Sequence, residues 1–297
     1  VRSHVVATSC WSRVIRQFRW QQALRPSAAP GRAASHSLVT MLRRVCQLQC
    51  SRRRALHMTV GPRTVELVTS TLDLHAGGAA DGEPGAHVVL VQPKDWRDVP
   101  HSRDNPPFWV LPWPSGSALA ALLMRNPELV RGKRVIDVGC GVAPAGLAAA
   151  RAGAANVVLS DRDECAMACA LQGGEANGVS DVCSTHPLDW SNNDLDASLC
   201  GAFDVALACD LFYDESSSNP LPHILHQLLR PDGTLLVGLP VESEYRGSDQ
   251  ASTRAAEASL NLLQEAGFSI ESQEEAQGEQ LPGAGPEGLA AARRGML

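Results

Sequence analysis

The run Arg134-Val-Ile-Asp-Val-Gly-Cys-Gly-Val-Ala-Pro-Ala-Gly146 constrains this fold more than any other stretch of the chain. Val135, Ile136 and Val138 make a short apolar run, the pattern of a strand. Gly139 and Gly141 follow at alternate positions, and an alanine-rich stretch to about Ala152 predicts a helix. Strand, glycine turn and helix together make a cradle of the kind that holds nucleotides. Glycine lets the backbone turn sharply and lets a ligand approach it closely. The free N–H groups at the helix start favour an anionic group. A tight turn in any doubly wound sheet would share the pattern.

Strand and helix signals alternate on either side of this turn. Strands are expected at Asn156–Asp161, Val182–Thr185, Phe203–Asp210, Thr234–Val241 and Phe268–Ser272. Helices are expected at Ser117–Asn126, Glu164–Ala176, Leu221–Arg230 and Thr253–Glu265. The fourth strand, Phe-Asp-Val-Ala-Leu-Ala-Cys-Asp, is apolar on both faces, as a buried parallel strand should be. The order predicts an α/β fold: a doubly wound, mostly parallel Rossmann-like sheet with helices on both faces. No seventh strand is legible after Gln273, where the chain runs through Gly- and Pro-rich sequence.

The chain divides into residues 1–60, an accessory segment at 61–104, a main domain at 105–275 and a tail at 276–297. Residues 1–60 hold eleven arginines, no lysine and no acid, so the net charge of −6 splits into +11 and −17. An arginine-rich, serine-containing, acid-free start predicts a mitochondrial or plastid transit peptide, strongest over Met41–Met58. A disordered basic tail is the alternative. Val65–Leu74 and His87–Gln92 are apolar stretches that could pair as a hairpin. In Pro106–Gly116, three aromatics and four prolines occupy eleven residues and cannot be a helix interior. This stretch walls a ligand pocket or plugs the sheet edge.

Nine scattered cysteines with no C-x-x-C pair argue for a reduced compartment and against a metal site or a disulfide framework. No apolar run approaches the roughly 18 residues of a membrane helix. The acidic surface beyond residue 60 suits a lysine-bearing protein better than nucleic acid.

The glycine pattern separates two ligand classes. A dinucleotide fingerprint wants G-x-G-x-x-G, and Pro144 holds the third glycine's place. Asp137-x-Gly139-x-Gly141 instead resembles motif I of the seven-strand S-adenosylmethionine methyltransferases, with Ala143 where a third glycine is usual. In doubly wound sheets ligands lie at the carboxyl ends of the strands. Asp161 and Asp163 follow the second strand, where a carboxylate can accept both ribose hydroxyls. Asp189 and Trp190 follow the third and can hold an adenine by hydrogen bond and stacking. Asp210-Leu-Phe-Tyr213 follows the fourth, beside the reacting methyl.

Residues 105–240 resemble the seven-strand protein-lysine methyltransferases. The matching stretches are Pro107-Phe-Trp109, Trp113-Pro-Ser-Gly116, Val130-Arg-Gly-Lys133, Asp137-Val-Gly-Cys-Gly141, Asp161-Arg-Asp163 and Asp210-Leu-Phe-Tyr-Asp-Glu215. Ser115 departs from the glycine usual after Trp-Pro. The resemblance is strongest to the mitochondrial branch acting on the electron transfer flavoprotein beta subunit. It implies S-adenosylmethionine as cofactor, held by Trp113, Asp137, Gly139, Gly141, Asp161, Asp163, Asp189 and Trp190. It implies Asp210 and Tyr213 as the residues that receive the substrate lysine, and it implies no metal. A small-molecule amine methyltransferase and a non-catalytic interaction protein are the alternatives.

Overall fold

A computed structural model describes residues 12–20, 56–74, 86–102, 105–192, 195–212, 220–240 and 258–277. The strands are β1 (Ser12–Trp20), β2 (Leu56–Val60), β3 (Arg63–Asp73), β4 (His87–Pro93), β5 (Arg134–Val138), β6 (Asn156–Asp161), β7 (Cys183–Pro187), β8 (Phe203–Cys209), β9 (Leu229–Pro240) and β10 (Phe268–Gln277). The helices are α1 (Pro114–Arg125), α2 (Pro144–Arg151), α3 (Glu164–Ala176) and α4 (Leu221–Leu228), and residues 258–265 are also helical.

Seven strands form one sheet in the order β10-β1-β9-β8-β5-β6-β7. The pairs β5–β6, β6–β7, β5–β8 and β8–β9 are parallel. From β5 the chain winds outward through β6 and β7, then returns to place β8 on the other side of β5. The switch point therefore lies between β5 and β8, and a ligand crevice opens at their carboxyl ends.

Alternate residues of each strand feed two cores. Val135, Val157, Leu159, Val205 and Leu207 pack with Leu119 and Leu123 of α1, Leu147 of α2 and Ala170 of α3. Ile136, Val138, Val158, Ala206 and Val237 pack with Leu221, Ile224 and Leu225 of α4 and with Leu260 and Leu263. Helices thus cover both faces, which is what keeps a parallel sheet dry.

The sheet has a seventh strand, supplied from the N-terminal side, where none is legible in the sequence after Gln273. Ser12–Trp20 runs antiparallel to both β9 and β10 and lies between them. The strand comes from the arginine-rich first sixty residues, which the composition assigns to a leader or tail. Leu56–Val60 of the same region is the edge strand of a second, three-stranded sheet, β2-β3-β4. That sheet packs Val65, Leu67 and Val91 against Cys165, Ala168 and Cys169 of α3. Residues 41–55 and the tail beyond residue 277 lie outside the described residues.

Helix α1 begins earlier than expected, at Pro114. Proline is suited to the first helical turn, where its missing N–H would have no partner anyway.

Candidate active site at the switch point

Three carboxylates at strand ends each hold backbone N–H groups. Asp137 Oδ2 accepts from Gly146 N at 2.8 Å. Asp161 Oδ2 accepts from Gly141 N and its Oδ1 from Asp163 N, both at 3.0 Å. Asp210 Oδ2 accepts from Ser115 N at 2.9 Å and its Oδ1 from Ser115 Oγ at 2.8 Å.

These bonds answer a local deficiency. The N-cap residues of α1 and α2 are Trp113 and Ala143, and neither offers a side-chain acceptor. A helix start leaves four N–H groups without intrahelical partners. Asp210 caps α1 and Asp137 caps α2, each from a neighbouring strand. The negative charge also complements the positive end of each helix dipole.

The turn itself is left-handed at three positions, with φ of 61° at Gly139, 53° at Gly141 and 57° at Ala143. The alanine therefore stands in a conformation that costs a non-glycine residue about 1–2 kcal/mol. Gly146 is needed for a different reason: a Cβ there would lie 2.4 Å from Leu159 Cδ2 and 2.8 Å from Asp137 Oδ2. It lets α2 sit close enough to the sheet for Asp137 to reach its N–H.

Burial works against charge here. It pushes the Asp137 carboxyl up to about 7, against the lowering effect of the Gly146 N–H and with a smaller push from Asp161. It raises Asp161 as well, opposed by the N–H groups of Asp163 and Gly141.

The proline-rich lead-in crosses these strand ends as a strap. Arg162 Nη2, just beyond β6, donates to Asn105 Oδ1 at 2.7 Å. A Cβ on Gly141 would meet the Trp109 carbonyl oxygen at 3.0 Å, so the strap backbone lies against the turn. Trp113 is half-buried, donates its indole N–H to the Phe108 carbonyl at 2.9 Å and stands edge-to-face with Phe108. The strap ends at Ser115, on Asp210.

The structure brings together Trp113, Asp137, Gly139, Gly141, Asp161 and Asp210. Trp190 is buried in the second core, and with Leu211 it closes on Gly139. Asp163 is the N-cap of α3, accepting from Cys165 N. Asp189 is half-buried and accepts from Ser191 N and Oγ within its own turn. Tyr213 lies outside the described residues. Ser115, Asn105 and Arg162 were not singled out as site residues in the sequence. The one trace was Ser115, standing where glycine is usual.

The cradle fits S-adenosylmethionine. Among the described residues, the buried Nε1 of Trp109 in the strap and the buried Oγ of Ser160, which precedes Asp161 in the chain, have no hydrogen-bond partner. Asp161 spends one acceptor site of each oxygen on the backbone and keeps capacity for hydroxyl donors.

Residues 111–250 match the lysine methyltransferase family. The match runs from Leu111 through the glycine turn to beyond β9, and leaves Asn105, Phe108 and Trp109 of the strap outside it. The chain is 33% identical over 153 residues to the electron transfer flavoprotein beta subunit lysine methyltransferase of Xenopus laevis, covering 50% of this chain and 59% of that protein. To the protein of that name from Danio rerio it is 32% identical over 152 residues, 50% of this chain and 57% of the relative. To the calmodulin-lysine N-methyltransferase of Arabidopsis thaliana it is 31% identical over 125 residues, 41% of each. The chain thus spans between two fifths and three fifths of the length of these relatives. Among solved structures, a putative methyltransferase from Bacillus halodurans aligns over 52% of this chain and 70% of its own at 20% identity, with a TM-score of 0.41.

Proposed function

We propose that this protein transfers a methyl group from S-adenosylmethionine to a lysine ε-amine on a protein substrate, with the electron transfer flavoprotein beta subunit as that substrate and mitochondria as its place of work. The observation that carries the reading is the adjacency of β5 and β8. It sets the glycine turn and Asp210 on neighbouring strand ends, so that a cofactor site and an acidic acceptor site open into one crevice. The names of the relatives supply the flavoprotein, and the arginine-rich start supplies the compartment. Because Ser12–Trp20 lies within the sheet, import would have to leave that strand in place.

When bound, the cofactor supplies a sulfonium methyl ready for in-line attack. The residues of this chain supply position and exclusion of water. The left-handed turn of Gly139 and Gly141 would take its methionine end, Asp161 would accept from the ribose hydroxyls, and the Trp109 segment would cover it. The nucleophile must be a neutral amine, which costs roughly 4–5 kcal/mol at pH 7 for a lysine of ordinary pKa. A carboxylate favours the ammonium form. Asp210 therefore captures and aligns the incoming side chain, and the proton leaves to solvent. Trp113 and Phe108 would flank its aliphatic stem.

The test is incubation of the purified full chain with tritiated S-adenosylmethionine and recombinant electron transfer flavoprotein beta subunit, followed by mass spectrometry. Methylated lysine on the flavoprotein supports the reading. Label transferred only to free amines, or no transfer to that subunit, overturns it.

A further inference from the structure

Asp210 sits in the left-handed region at φ 55°, a conformation that a non-glycine residue adopts at a cost. Such strain persists only where the surroundings over-determine it. Here the surroundings are visible. Asp210 N donates to the Gly238 carbonyl at 3.1 Å, tying the turn to β9. Both carboxylate oxygens are held by one residue, Ser115. Ser115 is fully buried, and a Cβ on Gly238 would stand 2.8 Å from its own. The first turn of α1 thus lies close against β9 at Ser115, an approach that the absent side chain of Gly238 permits.

We propose that Ser115 is a positioning residue for the methyl acceptor. Its N–H and hydroxyl grip the two oxygens of Asp210 from one side and fix the plane of the carboxylate. A carboxylate has about four acceptor sites. Ser115 engages one site on each oxygen, and the plane it sets is the plane in which the carboxylate meets a substrate ammonium. The hydroxyl matters because the backbone N–H alone holds one oxygen and leaves the group free to rotate about it. This rests on the lysine-transfer reading above and deepens it.

The experiment is a double-mutant cycle on the full chain with Ser115→Ala, Asp210→Asn and both together. Transfer to the flavoprotein beta subunit, S-adenosylmethionine affinity by calorimetry and thermal midpoint are measured for each. Ser115→Ala should lower kcat/KM by roughly one to two orders of magnitude, the size of one lost hydrogen bond to a charged group. Most of that loss should fall on kcat, with cofactor affinity unchanged. In the Asp210→Asn background the same substitution should cost little, because the group it aligns has lost its charge. Additive losses, or a parallel fall in cofactor affinity and midpoint, overturn the positioning role. Wild-type protein that binds the cofactor but methylates no lysine overturns the lysine reading and this inference with it. Active wild type with an equally active Ser115→Ala overturns the inference alone.

Discussion

The Asp137 carboxylate and the Gly146 N–H are 2.8 Å apart, and both are buried beneath the motif I turn. One acid thereby joins the end of β5 to the start of α2, and its protonation is coupled to the stability of the whole turn.

The sign of that coupling is set by the direction of the shift. The Asp137 carboxyl is raised from an ordinary 3.8 to about 7, so between these values the folded protein holds a proton that the unfolded chain has lost. The stabilisation is fully present below about pH 4 and is lost as pH rises through 7. At about 1.4 kcal/mol per unit it amounts to at most roughly 4 kcal/mol. Asp137→Asn lacks this titration. Denaturation at a series of pH values should show the variant gaining on the wild type between pH 4 and 7, and a constant difference would show that Asp137 does not titrate there.

Gly139 is closed in by side chains. A Cβ there would stand 2.5 Å from Leu211 Cδ2 and 3.3 Å from the Trp190 ring, at φ 61°. Gly139→Ala should cost about 2–5 kcal/mol, the sum of left-handed strain and overpacking. Leu211→Ala in the same chain removes the obstructing methyl, so the double variant should be less destabilised than the sum of the singles. Urea unfolding of the three variants checks this, and simple additivity would show that the contact is not the cause.

Removing residues 1–20 deletes the strand between β9 and β10. Both neighbours then lose their antiparallel ladders and expose unpaired N–H and C=O groups. The shortened protein should have a lower thermal midpoint, and limited proteolysis should cut within or before β10 first. A chain beginning near Val60 that melts like the full one would mean that β1 is dispensable and that the arginine-rich segment serves as a leader alone.

Arg162 and Asn105 fasten one end of the strap beside Asp161. The bond is exposed, so its loss should cost at most about 1 kcal/mol. Arg162→Ala should speed release of S-adenosylhomocysteine by a few-fold in stopped-flow displacement while leaving the thermal midpoint unchanged. An unchanged release rate would leave the strap held by the Trp109 and Ser115 contacts.

Much of this molecule can be read along the chain. The alternation of apolar runs with helical stretches set out the order from β5 to β9, because burial on both faces leaves a local mark on each strand. The acids at the ends of β5, β6 and β8 were legible for the same reason: each follows its strand directly. Their partners were not. Asp210 meets Ser115 across 95 positions and Arg162 meets Asn105 across 57. Which N–H a carboxylate caps depends on how a helix start is docked, and no periodicity records that. The seventh strand is the sharpest case. Ser12-Arg-Val-Ile-Arg-Gln-Phe-Arg-Trp20 mixes arginine with apolar residues and has the composition of a basic leader. Its place arises from two parallel strands, β9 and β10, standing one strand apart, a gap that only an antiparallel segment from elsewhere in the chain fills. Composition reports what a segment is made of, whereas hydrogen-bond demand at a sheet gap is a property of the assembled fold, and only the tertiary structure decided it.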